Sequence, residues 1–83
     1  MAKIRLYTTE RCGLCISAKR LLDSEGLPYE EINLARDADG RDELVRQTGM
    51  MTFPTILIGD EVIGGFGELL ELHRADALEP RAA

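Results

Sequence analysis

The run Ile4 to Tyr7 alternates as a short strand does, and a helix-periodic run begins at Cys12-Gly13-Leu14-Cys15. Between them lie only Thr8, Thr9, Glu10 and Arg11, so the chain's two cysteines stand where a strand feeds a helix. This placement constrains the fold more than any other feature. The strand must end and the helix must begin within a few residues, with both sulfurs at the junction. A Cys-x-x-Cys in that setting is the sequence form of a thiol–disulfide redox site.

Two structural roles compete with that reading. A Cys12–Cys15 staple would close a loop of only four residues, for which chain entropy gives roughly 2 kcal/mol. A tetrahedral zinc site wants four ligands, whereas the chain has two cysteines and one histidine. The redox reading is preferred, with staple and zinc as its alternatives.

Composition narrows the setting. The 83 residues carry a net charge of −5, and no basic run marks a nucleic-acid partner. No apolar run approaches a bilayer span, so no membrane is expected. Met1-Ala2-Lys3-Ile4-Arg5 lacks the apolar middle of a signal peptide. A cytoplasmic protein is expected, where glutathione and thioredoxin systems keep ordinary thiols reduced. Residues 1–83 read as one small domain.

Along the chain, Leu14, Ala18, Leu21 and Leu22 share one helical face, and Gly26 and Pro28 mark that helix's end. Tyr29 to Leu34 reads as a second strand, with Pro28, Glu30 and Glu31 suiting a sheet edge. Arg36 to Arg41 reads as a loop with Asp39 as the expected cap of a short helix from Asp42 to Thr48, stopped by Gly49. Thr55 to Ile58 is a continuous apolar run and so a buried strand. Gly59-Asp60 is a hairpin signal, with Glu61-Val62-Ile63 returning. Phe66, Leu69, Leu70 and His73 share a face of a last helix, and Ala75 to Ala83 loses period and is expected to fray. The order is βαβαββα. A right-handed parallel βαβ unit plus an antiparallel hairpin predicts an α/β fold, a four-stranded mixed sheet flanked by helices.

Four motifs in register, Tyr7-Thr8, Cys12-Gly13-Leu14-Cys15, Thr52-Phe53-Pro54 and Ile63-Gly64-Gly65-Phe66, make the chain resemble the glutaredoxins of the thioredoxin superfamily across nearly its whole length. The resemblance implies a thioredoxin-like fold and a thiol–disulfide oxidoreductase. Cys12 is then the nucleophile, Cys15 the resolving thiol, and Pro54 a cis proline facing them. The main chain of Phe53 would pair with an extended thiol substrate. Arg11, Leu14, Thr52, Phe53, Pro54, Gly65, Phe66 and Gly67 would contact substrate or glutathione. The implied partners are glutathione, as reductant, and disulfide-bonded proteins, acting on a monomer.

Departures from the family pattern carry their own implications. Gly13 and Leu14 replace the common proline and tyrosine. Thr9 and Glu10 stand where many relatives have a lysine, and Phe66-Gly67 where many have aspartate or serine. Phe66 resembles the aromatic of redoxins that serve ribonucleotide reductase and take electrons from thioredoxin reductase; it reads equally as a helix-opening core residue. Gly13 also occurs in members that hold a [2Fe–2S] cluster through the first cysteine, here Cys12, which is the minority reading. Otherwise no metal is expected.

Overall fold

The computed structural model describes residues 2–83. Strand β1 (Ile4–Thr8) leads to helix α1 (Gly13–Ser24), strand β2 (Glu30–Asn33) and helix α2 (Ala38–Thr48). Strands β3 (Thr55–Ile58) and β4 (Glu61–Gly64) follow, then helices α3 (Phe66–Arg74) and α4 (Leu78–Ala82). The sheet has the order β2-β1-β3-β4. β1 pairs in parallel with β2 and antiparallel with β3, which pairs antiparallel with β4. The expected four-stranded mixed sheet is therefore present, with Glu30 and Glu31 on an edge strand.

Alternation along the two central strands divides the core. Ile4 and Leu6 of β1, with Ile56 and Ile58 of β3, face one side, where they pack with Ala18, Leu21 and Leu22 of α1, Leu69 of α3, and Leu78 and Ala82 of α4. Tyr7 and Leu57 face the other side, where they meet Leu34 and Leu44 under α2. A strand buried on both faces has no polar face to show, which is why Thr55–Ile58 reads as an unbroken apolar run.

Helix α2 begins four residues ahead of the expected Asp42. Its cap is Asp37, not Asp39: the Asp37 Oδ1 accepts the Gly40 N–H at 2.8 Å. Asp39 lies in the first turn, where a carboxylate suits the positive helix end. Gly40, which reads as a loop residue, sits inside the helix because the fold needs the space. A Cβ there would lie 2.5 Å from Asp37 Oδ2 and 2.7 Å from Leu34 Cδ2.

The tail also departs from expectation. Instead of fraying after Ala75, the chain forms α4, with Leu78 fully buried and Ala82 nearly so. Pro80 falls in the first turn of this helix, where its missing N–H breaks no intrahelical bond. The Ala2 N–H donates to the Ala82 carbonyl at 3.1 Å, and Arg81 pairs with Glu61 of β4.

Candidate active site

The site is assembled by strand register. Tyr7 stands opposite Thr55, and Ile56 opposite Gly64. The end of β1, the start of β3 and the end of β4 thus lie at one pole of the sheet. The three loops there carry Cys12, Phe53-Pro54 and Gly65-Phe66, so all four sequence motifs converge although they are spread along the chain.

Cys12 is the N-cap of α1, with extended backbone at φ −114° and ψ 99°. A helix start leaves backbone N–H groups without intrahelical partners. One of them, the Cys15 N–H, donates to the Cys12 Sγ at 3.0 Å. The Leu14 N–H makes no corresponding bond to that sulfur. Cys12 and Cys15 are joined as a disulfide, their Cα atoms 5.2 Å apart. Cys12 is half-buried, and Cys15, one turn in, is 2% exposed. Arg11 adopts φ +54°, a left-handed conformation that is costly for a residue with a Cβ and that sets the turn from β1 into α1.

The Phe53-Pro54 peptide is cis, and Pro54 is buried. Thr55 Oγ1 closes the turn by donating to the Thr52 carbonyl at 2.6 Å. Among the described residues the Phe53 N–H and C=O make no hydrogen bond, and the Phe53 ring packs on the Tyr7–Leu34–Leu44–Leu57 cluster. A Cβ on Gly65 would lie 3.6 Å from the Pro54 carbonyl oxygen, so the two loops touch. Phe66 is half-buried against the α1 side of the core, which fits its packing role. Gly67, Thr52, Leu14 and Arg11 are exposed around this pole, and Arg11 makes no ion pair among the described residues.

Two side chains of α1 and α3 are engaged away from the sulfur. Lys19 reaches Glu31 of β2 at 3.3 Å, and Glu31 also accepts from the buried Thr8 hydroxyl at 2.9 Å. His73 pairs with Glu25 at 2.6 Å, tying the end of α3 to that of α1 rather than approaching Cys12. One contributor escaped the sequence reading. Glu68 Oε1 accepts the Gly65 N–H at 2.7 Å, and its carboxylate lies over Gly64, whose φ of +121° marks the bulge at the end of β4. A glutamate three residues after a cap is the signal that could have found it.

Among the described residues no three His, Cys, Asp or Glu side chains are grouped to hold a metal ion. Among those residues no helix is long and apolar enough to cross a membrane. A cavity of about 380 Å³, lined by Ala2, Ile4, Leu27, Pro28, Tyr29 and Ala82, opens near the start of β1, at the opposite pole. Burial, and then the Asp23 carboxylate, hold the Tyr29 phenol above its ordinary pKa range there. The disulfide lies at the other pole of the sheet.

Known proteins resemble this chain in sequence and in structure. Residues 4–63 match the family model described as Glutaredoxin. The chain is 36% identical over 80 residues to glutaredoxin 3 of Escherichia coli K12, covering 96% of each chain. It is 39% identical over 79 residues to a glutaredoxin of Pseudomonas aeruginosa, covering 95% of this chain and 94% of that protein. Among solved structures, a buckwheat glutaredoxin–glutathione complex superposes with a TM-score of 0.87 at 32% identity, over 98% of this chain and 76% of that one. A glutaredoxin from Brucella melitensis gives 0.83 at 32% identity, over 96% and 87%.

Proposed function

The chain belongs to the glutaredoxin family and has its thioredoxin-like fold, and from that premise we propose that it reduces disulfides in proteins and mixed disulfides with glutathione through Cys12 and Cys15. Its class is thiol–disulfide oxidoreductase.

The observation that carries the mechanism is the Cys12 sulfur at the mouth of α1, accepting the Cys15 N–H at 3.0 Å. Only a thiolate attacks a disulfide efficiently. An N–H donor and the positive end of a helix both favour the anion over the thiol. In the reduced protein the Cys12 thiolate attacks one sulfur of the target disulfide. That S–S bond breaks, and the departing target sulfur takes up a proton. The Cys15 thiolate then attacks the Cys12 Sγ and releases the second target sulfur, which is protonated in turn. Two electrons and two protons have passed to the target, and the Cys12–Cys15 disulfide remains. Two glutathione molecules restore both thiols and leave as glutathione disulfide. When the target is itself a glutathione adduct, a second glutathione can resolve the mixed disulfide at Cys12 without Cys15.

The free main-chain groups of Phe53 would pair with the substrate's backbone. Arg11, Leu14, Thr52, Pro54, Gly65, Phe66 and Gly67 complete the contact surface in this reading. The glutathione complex of the buckwheat neighbour supports glutathione as reductant. We read residues 1–83 as one domain acting as a cytoplasmic monomer.

Alkylation of Cys12 against pH, measured in Cys15→Ser so that one thiol reports, tests the thiolate. The expected midpoint lies below the roughly 8.5 of free cysteine; a midpoint at that value removes the basis of the mechanism. A coupled assay supplying electrons from glutathione and its reductase, or from thioredoxin reductase, tests the reductant. Turnover with the first alone is expected, and turnover with the second alone would transfer the chain to the ribonucleotide-reductase type of redoxin.

A further inference from the structure

The resolving step needs a base. Cys15 is 2% exposed, and in the reduced protein its thiol must lose a proton before it attacks the Cys12 Sγ. Burial favours the thiol over the thiolate. The proton therefore needs a path from the interior to water.

A buried hydroxyl and a carboxylate stand in line for it. Thr8, at the end of β1, is 1% exposed, and its hydroxyl donates to Glu31 Oε2 at 2.9 Å. Lys19 Nζ holds Glu31 in turn, 3.3 Å from each carboxylate oxygen. The Glu31 side chain is 35% exposed, so the outer end of this network meets water. Among the described residues Glu31 is the one carboxylate hydrogen-bonded to a buried side chain of β1.

The topology sets Cys15 at the inner end. Helix α1 follows β1 and runs back along the sheet face that carries Ile4 and Leu6, where Ala18 and Leu22 pack on them. Cys15 and Lys19 are one turn apart on a shared helix face, with Cys15 about 5.4 Å nearer the active pole. Glu31 stands opposite Leu6 in the β1–β2 register. Thr8, two residues on from Leu6 and on the same face, is about 6.7 Å nearer that pole. The step from Lys19 to Cys15 thus matches the step from Glu31 to Thr8, which brings Cys15 over the Thr8 hydroxyl. That oxygen gives its own hydrogen to Glu31 and keeps lone pairs for an S–H donor.

We propose that Cys15 is deprotonated through the Thr8 hydroxyl to the Glu31 carboxylate. The proposal rests on the exchange reading above and assigns the proton of its resolving step. As Cys15 Sγ bonds to Cys12 Sγ, the bond from Cys12 to the target sulfur breaks, and its electron pair leaves with that sulfur. The Cys15 proton passes to Thr8 Oγ1, the Thr8 proton passes to Glu31 Oε2, and Glu31 returns one proton to water. Lys19 is a positioning residue that holds the carboxylate toward Thr8. The Tyr29 phenol is the other titratable group that feels the charge on Glu31.

The test follows both thiolates released from one small disulfide. Reduced protein is mixed in stopped flow with equimolar nitrobenzoate disulfide, whose aromatic thiolate is coloured. Cys12 releases the first thiolate and Cys15 the second, so the first phase reports an intact Cys12 in every variant. Glu31→Gln and Thr8→Val should slow the second phase about a hundredfold near neutral pH, the size of general-base assistance. Between about pH 6 and about pH 8 that phase should be nearly flat in the parent protein and should rise about tenfold per pH unit in both variants, as hydroxide takes over. Thr8→Ser keeps the hydroxyl and should retain the parent's second phase and its profile. A second phase within about twofold of the parent in either Glu31→Gln or Thr8→Val overturns the proposal. So does a second phase slowed by the same factor at every pH, or a first phase slowed as much as the second, which is what a merely structural role predicts. A parent protein that releases no first thiolate marks a different error, in the exchange reading itself.

Discussion

Gly40→Ala sets two opposing effects against each other at α2. Alanine is the better helix former by about 1 kcal/mol, so propensity alone predicts a more stable protein. The surroundings predict the reverse. The new Cβ would lie 2.5 Å from Asp37 Oδ2, 2.7 Å from Asp37 Cγ and 2.7 Å from Leu34 Cδ2. Asp37 is exposed and can swing aside, but doing so breaks the 2.8 Å cap to the Gly40 N–H, a loss of about 1 kcal/mol. Leu34 is 2% exposed and has nowhere to go. Crowding a packed side chain of this kind costs about 1–3 kcal/mol. The balance is a loss of about 2 kcal/mol, which in a domain of this size lowers the melting temperature by roughly 10 °C. Urea unfolding followed by circular dichroism should show a lower midpoint at an unchanged slope. On an Asp37→Ala background the same change should cost less, since one of the two clashes is gone. A Gly40→Ala protein at least as stable as its parent, or an equal cost on both backgrounds, would refute the close-approach reasoning.

Other outcomes follow from the same structure. Cys15→Ser should abolish steady-state reduction of protein disulfides and trap them on Cys12, while reduction of glutathione mixed disulfides continues; loss of both activities would contradict the division of labour. Leu78→Ala empties a fully buried site in the short terminal helix and should cost about 3 kcal/mol by urea midpoint; a change under about 0.5 kcal/mol would mean the segment is not packed as described. Tyr29 holds its proton more tightly folded than unfolded, burial being the larger cause. Its contribution to stability is therefore complete below its ordinary pKa of about 10 and lost as pH rises from there through the raised folded value. Tyr29→Phe should flatten the fall in urea midpoint above about pH 10, and an unaltered fall would show that other groups cause it.

The parts legible in the sequence were those where local pattern and tertiary packing demand the same thing. Ile56–Ile58 is apolar throughout because it is buried on both faces, and the Cys-x-x-Cys marks its own helix start because the first cysteine is the cap. The beginning of α2 was not legible. Asp37 and Asp39 are equally good caps in isolation, and Gly40 imitates a turn; only the contact with Leu34, distant from α2's own pattern, decides between them. α4 was hidden for a different reason. A five-residue helix has no period to detect, and Pro80 signals a break unless it is already known to fall in a first turn. Within the site, the cysteines and the Phe53-Pro54 turn stood out.

The bond between Ala2 and Ala82 has an outcome for how such a protein can be combined with others. It brings Ala2 and Ala82 to the start of β1, while the reactive sulfurs follow its finish, a strand of five residues away, about 17 Å along the sheet. Any module fused upstream or downstream would hang from the base of the molecule. Its bulk would leave the opposite summit open to incoming partners, and a tether from either end would present the cysteines outward.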